Sequence, residues 1–124
     1  MPIKLNDDDN FNKNMGKVLK IIKKKKAPYI VLVSSPRCGH CEALKNTWKE
    51  VTNTVRKNKT RIHIIEIDAD VAAHLLSEHS DIPALKKLFQ GYQHGVPFIS
   101  RSDLGNVSEF NGDRNVEELL QFMA

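Results

Sequence analysis

The sequence has little of what a cross-linked, membrane-spanning or nucleic-acid-binding protein needs. Its 124 residues include only two cysteines, too few for the disulfide framework of a small secreted domain. No apolar run approaches the ~18 residues needed to cross a membrane. Aromatic residues make up 6% of the chain and are not interleaved with the lysines, so we expect no nucleic-acid binding despite a net charge of +4.

The two ends of the sequence carry no recognisable targeting signal. The start, MPIKLNDDDN, is polar and acidic rather than an apolar secretory leader, and the end, LLQFMA, lacks an ER-retention tetrapeptide. These ends favour the cytoplasm over the ER lumen. The length and the ordinary share of hydrophobic residues predict one domain across residues 1–124. We expect it to be a monomer.

The apolar pattern alternates between strands and helices along the chain. PIKL predicts a short edge strand, and residues 9–26 have the apolar spacing of an amphipathic helix. YIVLVS and RIHIIEID are continuous β-branched runs, typical of strands covered on both faces. A helix from Cys38, two short helices between residues 70 and 91, a VPFIS/VSEF hairpin and a helix at residues 115–122 complete the order βαβαβααββα. This order predicts an α/β protein with a mixed central sheet and helices on both faces.

The first predicted helix has opposite charges at its two ends. Aspartates occupy residues 7–9 and lysines occupy residues 23–26, which suits the helix dipole. The simple interpretation is a solvated helix end. The alternative is contact with an anionic membrane or another polyanion.

The two cysteines, Cys38 and Cys41, lie at the predicted junction between the YIVLVS strand and the next helix. Free N–H groups at a helix start stabilise a thiolate, and a cysteine three residues further on is ~5–6 Å away, within disulfide reach. We therefore predict that Cys38 attacks and that the more buried Cys41 resolves the mixed disulfide. His40 adds a donor or a positive charge beside the thiolate.

Zinc binding is the main alternative for the cysteine pair. Two further ligands are required, and His74 and His79 have a plausible mutual spacing. However, 32 residues separate Cys41 from His74, far more than a finger loop contains. Inert core cysteines are a further alternative, although burial alone gives no reason for this spacing at a helix start.

The stretch YIVLVSSPRCGHCEALKNTW resembles the active-site region of a protein disulfide isomerase domain, and CGHC, with Gly39, is the isomerase form of the motif. IIEIDAD, GVPF and FNGDRNVEELLQFM resemble three further segments of such domains. The resemblance implies a thioredoxin fold and a thiol–disulfide oxidoreductase that forms, reduces or rearranges protein disulfides. It implies protein substrates and no cofactor beyond the dithiol, with exchange with glutathione left open. Pro97 is implied to be cis opposite Cys38, and the backbone of Val96 to pair with a substrate segment.

Some positions depart from the family pattern. Arg37 replaces the usual aromatic residue before the first cysteine, and its charge should favour the thiolate and acidic substrate segments. Arg101 is similar to a family arginine that approaches the second cysteine, although its offset from Pro97 differs. Residues 82–91 resemble an inserted helix before the cis-proline strand. They form either one wall of the substrate groove or, as we favour, a surface elaboration.

The most informative departure concerns a buried acid. The family carries it on the strand before the first cysteine, where this chain has Leu32, and pairs it with a lysine on the next strand, where this chain has Glu66. We hypothesise that Glu66 is the buried proton acceptor for Cys41 and that burial raises its pKa. The alternative is that Glu66 reaches solvent or a lysine.

A function of another class also fits a thioredoxin fold. An adaptor or chaperone of this fold holds unfolded chains without turnover. The intact cysteine pair argues against it, since a pure adaptor has no need of two thiols.

Overall fold

The computed structural model describes residues 2–6, 8–24, 27–78, 83–89, 92 and 95–124. Within these residues the predicted order βαβαβααββα is confirmed. The elements are β1 (Ile3–Leu5), α1 (Phe11–Lys24), β2 (Tyr29–Ser34), α2 (Gly39–Lys57), β3 (His63–Asp68), α3 (Ala69–Glu78), α4 (Pro83–Leu88), β4 (Phe98–Asp103), β5 (Asn106–Glu109) and α5 (Val116–Met123). None of the described helices is both long enough and apolar enough to cross a membrane.

The strands form a mixed sheet in the order β1-β3-β2-β4-β5. The first three strands are parallel to one another, β4 runs antiparallel to β2, and β5 runs antiparallel to β4. PIKL therefore supplies an edge strand, as predicted. Ser34 pairs with Asp68 and Val33 with Phe98, so β2 and β3 end where β4 begins. The cysteines lie at this boundary of the sheet, which is formed by the carboxyl ends of β2 and β3 and which we call the cysteine-bearing edge.

The central strand β2 is covered on both faces, as its continuous apolar run predicts. Alternate side chains enter two separate cores because successive residues of a strand point to opposite sides. Val31 and Val33 pack with α1, α3 and α4, whereas Ile30 and Leu32 pack with α2 and α5. Helix α2, which contains Cys41, thus lies on the opposite face of the sheet from α1.

The hairpin between β4 and β5 turns through two residues. Leu104 and Gly105 have φ angles of 51° and 97°. Positive φ at both positions matches the twist of the two strands, and glycine adopts it without steric cost. The turn brings β5 back toward the cysteine-bearing edge of the sheet.

The inserted segment before β4 is part of the core, and the surface elaboration that we favoured is wrong. Leu85, Leu88 and Phe89 are at most 3% exposed and pack against the α1 and α3 side of the sheet. The ring of Tyr92 stacks edge-on against Phe89, and its hydroxyl donates to the carbonyl of Ala69 at 3.1 Å. The ends of the predicted insertion, residues 82 and 91, lie outside the described residues.

Helix α1 starts about two residues later than predicted, at Phe11, and is described as far as Lys24. Its first turn contains no acid; Asp8 and Asp9 precede it, and Asp8 Oδ1 accepts the backbone N–H of Asn10. Asp7, Lys25 and Lys26 of the predicted charge runs lie outside the described residues.

Candidate active site

Cys38 occupies the N-cap of α2, at the point where the chain leaves β2 and turns into the helix. Its backbone is extended, and its sulfur accepts the backbone N–H of Cys41 at 3.3 Å. An N-cap side chain satisfies helix N–H groups that have no partner within the helix. The Cys38 sulfur therefore caps the helix, a role that a serine or aspartate oxygen more often fills.

The pKa of the Cys38 thiol is lowered. The largest cause is a hydrogen bond from the Cys41 thiol, followed by the Cys41 and His40 backbone N–H groups and the charge of Arg114. Each of these favours the anionic sulfur, and the small degree of burial opposes them. The partly exposed Cys38 is thus the more nucleophilic of two free thiols.

Cys41 has the opposite environment, one turn into α2. It is 8% exposed, and burial is the largest cause that raises its pKa to about 11. Its hydrogen bond to Cys38 and the charge of Cys38 also raise it. The Ser35 backbone N–H, 3.5 Å from Cys41 Sγ, and Arg114 act in the other direction. The predicted contrast between an outer and an inner cysteine is present in the structure.

Pro97 lies opposite the cysteines and its peptide bond with Val96 is cis, as the resemblance implied. The Val96 carbonyl accepts the Cys38 thiol at 3.5 Å. Gly95, just before, has a φ of 101°, a conformation that side-chain-bearing residues rarely adopt. This segment therefore presents a backbone carbonyl directly to the reactive sulfur.

A cleft of about 260 Å³ opens beside the cis-proline. One wall is formed by Gly95 and residues 97–99, and the other by residues 109–112 and Arg114. The second wall, which includes residues 109–112, lies there because β5 returns the chain to the cysteine-bearing edge. The cleft adjoins Pro97, whose neighbour Val96 contacts the Cys38 sulfur.

Arg114 is the functional residue that sequence reasoning missed. It lies in the loop between β5 and α5, lines the cleft, and its charge lowers the pKa of both cysteines. The topology of the hairpin is the signal that would have found it. The β4 strand leaves the cysteine-bearing edge and β5 returns to it, so a cation in the loop after β5 is placed near the sulfurs.

Arg101 does not approach the second cysteine, and that expectation is wrong. It pairs with Ile30 near the start of β2, at the far end of the strand from the cysteines. Its guanidinium forms a two-point ion pair with Asp103 at 2.9 and 3.0 Å and donates to the carbonyls of Phe122 and Ala124. Arg101 thus fastens the end of α5 to the sheet.

Three neighbours of the cysteines, Arg37, Gly39 and His40, are exposed. His40 is exposed and acts on Cys38 through its backbone N–H. Arg37 is exposed, its backbone N–H donates to Ser35 Oγ at 3.3 Å, and the cation that lowers the Cys38 pKa is Arg114. A Cβ added at Gly39 would meet no atom within 4 Å. The assigned roles of these side chains stay predictions.

Glu66 combines features of both interpretations offered for it. It pairs with Leu32 on one side and Lys4 on the other, and it faces the α2 core beside Trp48. Burial raises the pKa of its carboxyl, as predicted, while the charge of Lys4 and the nearby Trp48 indole N–H oppose the shift. Among the described residues, the buried indole nitrogen of Trp48 has no partner within hydrogen-bonding distance and angle. The groups acting on Cys41 are Cys38, Ser35 and Arg114, so any link from Glu66 to Cys41 is indirect.

No metal site occurs in the part of the chain that the structure describes. There, no three side chains from His, Cys, Asp and Glu converge on one point. His74 instead lies 3.3 Å from Glu78 on the exposed side of α3. His79, the other proposed zinc ligand, and His94 lie outside the described residues.

A helix-capping cysteine, a buried partner thiol and a facing cis-proline together define a thioredoxin-fold dithiol site. The Thioredoxin family model matches residues 3–124, and the chain belongs to that family. It is a thioredoxin domain with relatives among the protein disulfide isomerases.

Two curated relatives share 26% identity with this chain. Protein disulfide-isomerase TMX3 of Xenopus laevis aligns over 115 residues, which are 93% of this chain and 21% of that protein. Protein disulfide-isomerase erp38 of Neurospora crassa aligns over 97 residues, 76% of this chain and 26% of that protein. The chain therefore spans about a fifth to a quarter of these relatives.

Solved thioredoxin domains share the fold. The first thioredoxin domain of mouse protein disulfide-isomerase A4 superposes with a TM-score of 0.64 at 22% identity, covering 97% of this chain and 71% of that one. The J-Trx1 fragment of ERdj5 gives a TM-score of 0.65 at 20% identity, covering 97% and 48%. These structures establish the thioredoxin fold for the chain.

Proposed function

We propose that this protein is a thiol–disulfide oxidoreductase of protein disulfide isomerase type, acting on protein substrates. The observation that carries the proposal is the environment of Cys38. Its sulfur caps α2, has a lowered pKa, and lies 3.5 Å from the Val96 carbonyl beside the cleft. A nucleophilic sulfur beside a backbone segment whose carbonyl, among the described residues, makes only the hydrogen bond to Cys38 is arranged to meet an extended chain that carries a sulfur of its own.

The exchange proceeds in two steps in the reducing direction. The Cys38 thiolate attacks one sulfur of a substrate disulfide, forming a mixed disulfide and releasing the other sulfur as a thiolate. Cys41 then loses its proton and attacks Cys38, forming the Cys38–Cys41 disulfide and releasing the second substrate thiol. Two electrons pass to the substrate, and the reverse sequence oxidises a substrate dithiol.

The mixed disulfide itself makes Cys41 easier to ionise. While Cys38 is free, its charge and its hydrogen bond with Cys41 both raise the pKa of the inner thiol. Once Cys38 is bonded to substrate, that charge is gone, whereas the opposing Arg114 charge remains. The pKa of Cys41 therefore stays high while Cys38 is free, and it falls once the mixed disulfide has formed and Cys41 must ionise.

Glu66 is the proposed indirect proton acceptor for Cys41. Its raised pKa brings the carboxylate closer to the range in which a base works near neutrality. Replacing Glu66 with glutamine should change the pH dependence of disulfide release from the mixed disulfide. An unchanged pH profile would refute the relay and leave Glu66 with a purely structural role beside Lys4.

Substrate docking is assigned to Val96, Pro97 and the adjoining cleft. An extended segment pairing with the Val96 backbone places its own sulfur at Cys38. Exposed Arg37 before the motif favours acidic flanking residues. Dithiol exchange needs no added cofactor, and glutathione is proposed as an exchange partner of the same sulfurs.

Insulin reduction and refolding of scrambled ribonuclease test the proposal together. Both activities should be present in the unmodified protein and absent in Cys38→Ser. Cys41→Ser should trap mixed disulfides, because the first step proceeds and the second does not. If the unmodified protein bound unfolded chains but catalysed neither reaction, a thioredoxin-fold adaptor would be the correct description.

The equilibrium potential against glutathione then sets the direction. Thioredoxins lie near about −270 mV and protein disulfide isomerases near about −180 mV. Stabilising the Cys38 thiolate makes the disulfide easier to reduce, so we expect a value nearer the isomerase end. A potential at or below that of thioredoxin would contradict the isomerase assignment while leaving the dithiol chemistry intact.

A further inference from the structure

The positive charge of this protein is concentrated on two helices. The whole chain has 19 lysines and arginines and 15 aspartates and glutamates. Helices α1 and α4 carry no acidic residue, and all seven of their lysines are exposed: Lys13, Lys17, Lys20, Lys23, Lys24, Lys86 and Lys87. Without them the chain would hold 12 basic and 15 acidic side chains, so these two helices reverse the sign of the net charge.

The two helices lie on one side of the molecule. Their buried residues Val18, Ile22, Leu85 and Leu88 belong to the same core, on the sheet face opposite α2. Helix α1 also contacts α4 directly. We call the seven exposed lysines of α1 and α4 the lysine face.

On α1 the lysines form a continuous stripe. Lys13, Lys17, Lys20 and Lys24 follow a spacing of four, three and four residues, which keeps them on one side of a helix over about 16 Å. The apolar side of the helix, with Val18 and Ile22, is turned to the core. The stripe therefore faces solvent along the whole helix.

These lysines are not neutralised by the part of the protein that the structure describes. Within the described residues no ion pair involves any of the seven, although salt bridges are formed by His74 and Arg101. The carboxylates nearest in sequence to α1, Asp8 and Asp9, precede its start. Seven like charges without an ion-pair partner among the described residues repel one another and attract a polyanion.

We propose that the lysine face adsorbs to an anionic lipid bilayer. Neither helix contains arginine, the side chain that most often reads bases or clamps a fixed phosphate in two-point geometry. Lysine is a flexible point charge, suited to mobile lipid head groups, and clusters of four to eight basic residues on an amphipathic helix are typical of such surfaces. The exposed α1 residues are asparagine, glycine and lysine, so α1 adsorbs without inserting an apolar side chain.

This surface leaves the dithiol free. Cys38 caps α2, which lies across the sheet from α1, so adsorption through the lysine face turns the α2 side of the molecule away from the bilayer. The consequence is a membrane-associated domain that still reaches thiols in the adjoining solution. The inference does not depend on the proposed redox activity, because neither helix supplies a residue of the cysteine site.

Vesicle co-sedimentation tests the proposal with a pair of variants matched in charge. The probe is phosphatidylcholine vesicles containing about one-third phosphatidylserine, at about 0.1 M salt, with pure phosphatidylcholine vesicles as the blank. The triple variant Lys13→Gln, Lys17→Gln, Lys20→Gln should bind about a hundredfold more weakly, from roughly fivefold per lysine. The control changes Lys45, Lys49 and Lys57 of α2 to glutamine, with the same loss of charge, and should bind like the unmodified protein.

Four outcomes would overturn the proposal. The first is no binding to the anionic vesicles by the unmodified protein. The second is equal weakening in both triple variants, which would mean that net charge alone is responsible. The third is bound protein that stays on the vesicles at about 0.5 M salt, which would require apolar insertion. The fourth is tighter binding to duplex DNA or polyglutamate than to vesicles at equal charge concentration, which would assign the lysine face to another polyanion.

Discussion

Iodoacetamide should alkylate Cys38 far faster than Cys41 in the reduced protein at neutral pH. Raising the pKa of Cys41 to about 11 from the ordinary thiol value of 9.0 lowers its thiolate fraction about a hundredfold. The pKa of Cys38 moves the other way. The ratio of thiolate at the two sulfurs should therefore exceed about a hundredfold, and the 8% exposure of Cys41 widens the difference in rate.

The measurement is the rate of carboxamidomethylation at each cysteine, mapped by mass spectrometry after quenching at a series of times and pH values. Glutathione in the same tube supplies the reference thiol. Cys38 should react with a pH midpoint below the ordinary 9.0. Equal rates at the two cysteines, or a Cys38 rate no greater than that of glutathione, would refute the proposed mechanism at its first step.

A matched pair of variants locates the cause of the shift. The largest cause of the lowered Cys38 pKa is the hydrogen bond from the Cys41 thiol. Cys41→Ala removes that donor, whereas Cys41→Ser keeps a hydroxyl in its place. The alkylation midpoint of Cys38 should therefore be higher in the alanine variant than in the serine variant. Identical midpoints would show that the helix start alone stabilises the thiolate.

Other predictions concern the core, the buried acid and the site cation. Leu88→Ala should lower the free energy of unfolding in urea by about 2–5 kcal/mol, because this side chain is 0% exposed. A loss below about 1 kcal/mol would show that α4 does not pack in the core. Because burial raises the pKa of Glu66, its contribution to stability is present below the ordinary value of 4.5 and is lost as pH rises through the raised pKa. Glu66→Gln should accordingly gain stability relative to the unmodified protein as pH rises to neutrality, and a constant difference would contradict the shift. Arg114→Gln should raise the alkylation midpoint of Cys38. The charge-matched control Arg61→Gln, an exposed residue before the start of β3, should leave that midpoint unchanged.

The order of elements was predictable because it depends on local patterns. The β-branched run of β2, the apolar spacing of α1 and the turn residues between β4 and β5 each act over a few neighbouring residues. The predicted starts of α1 and β3 were each about two residues too early, because element ends are not sharply encoded in the local pattern. Local patterns could not place the inserted segment, since whether Leu88 is buried depends on what the sheet and α1 leave uncovered.

The candidate dithiol could be predicted from the sequence, because two cysteines three residues apart at a helix start are within disulfide reach through local geometry. The cation that acts on these cysteines could be identified only from the three-dimensional arrangement of the strands. Arg101 and Arg114 look alike in sequence, but the reversal of direction at the β4–β5 hairpin carries Arg101 away from the sulfurs and returns Arg114 to them. Such an effect depends on distance through space, and distance along the chain does not predict it.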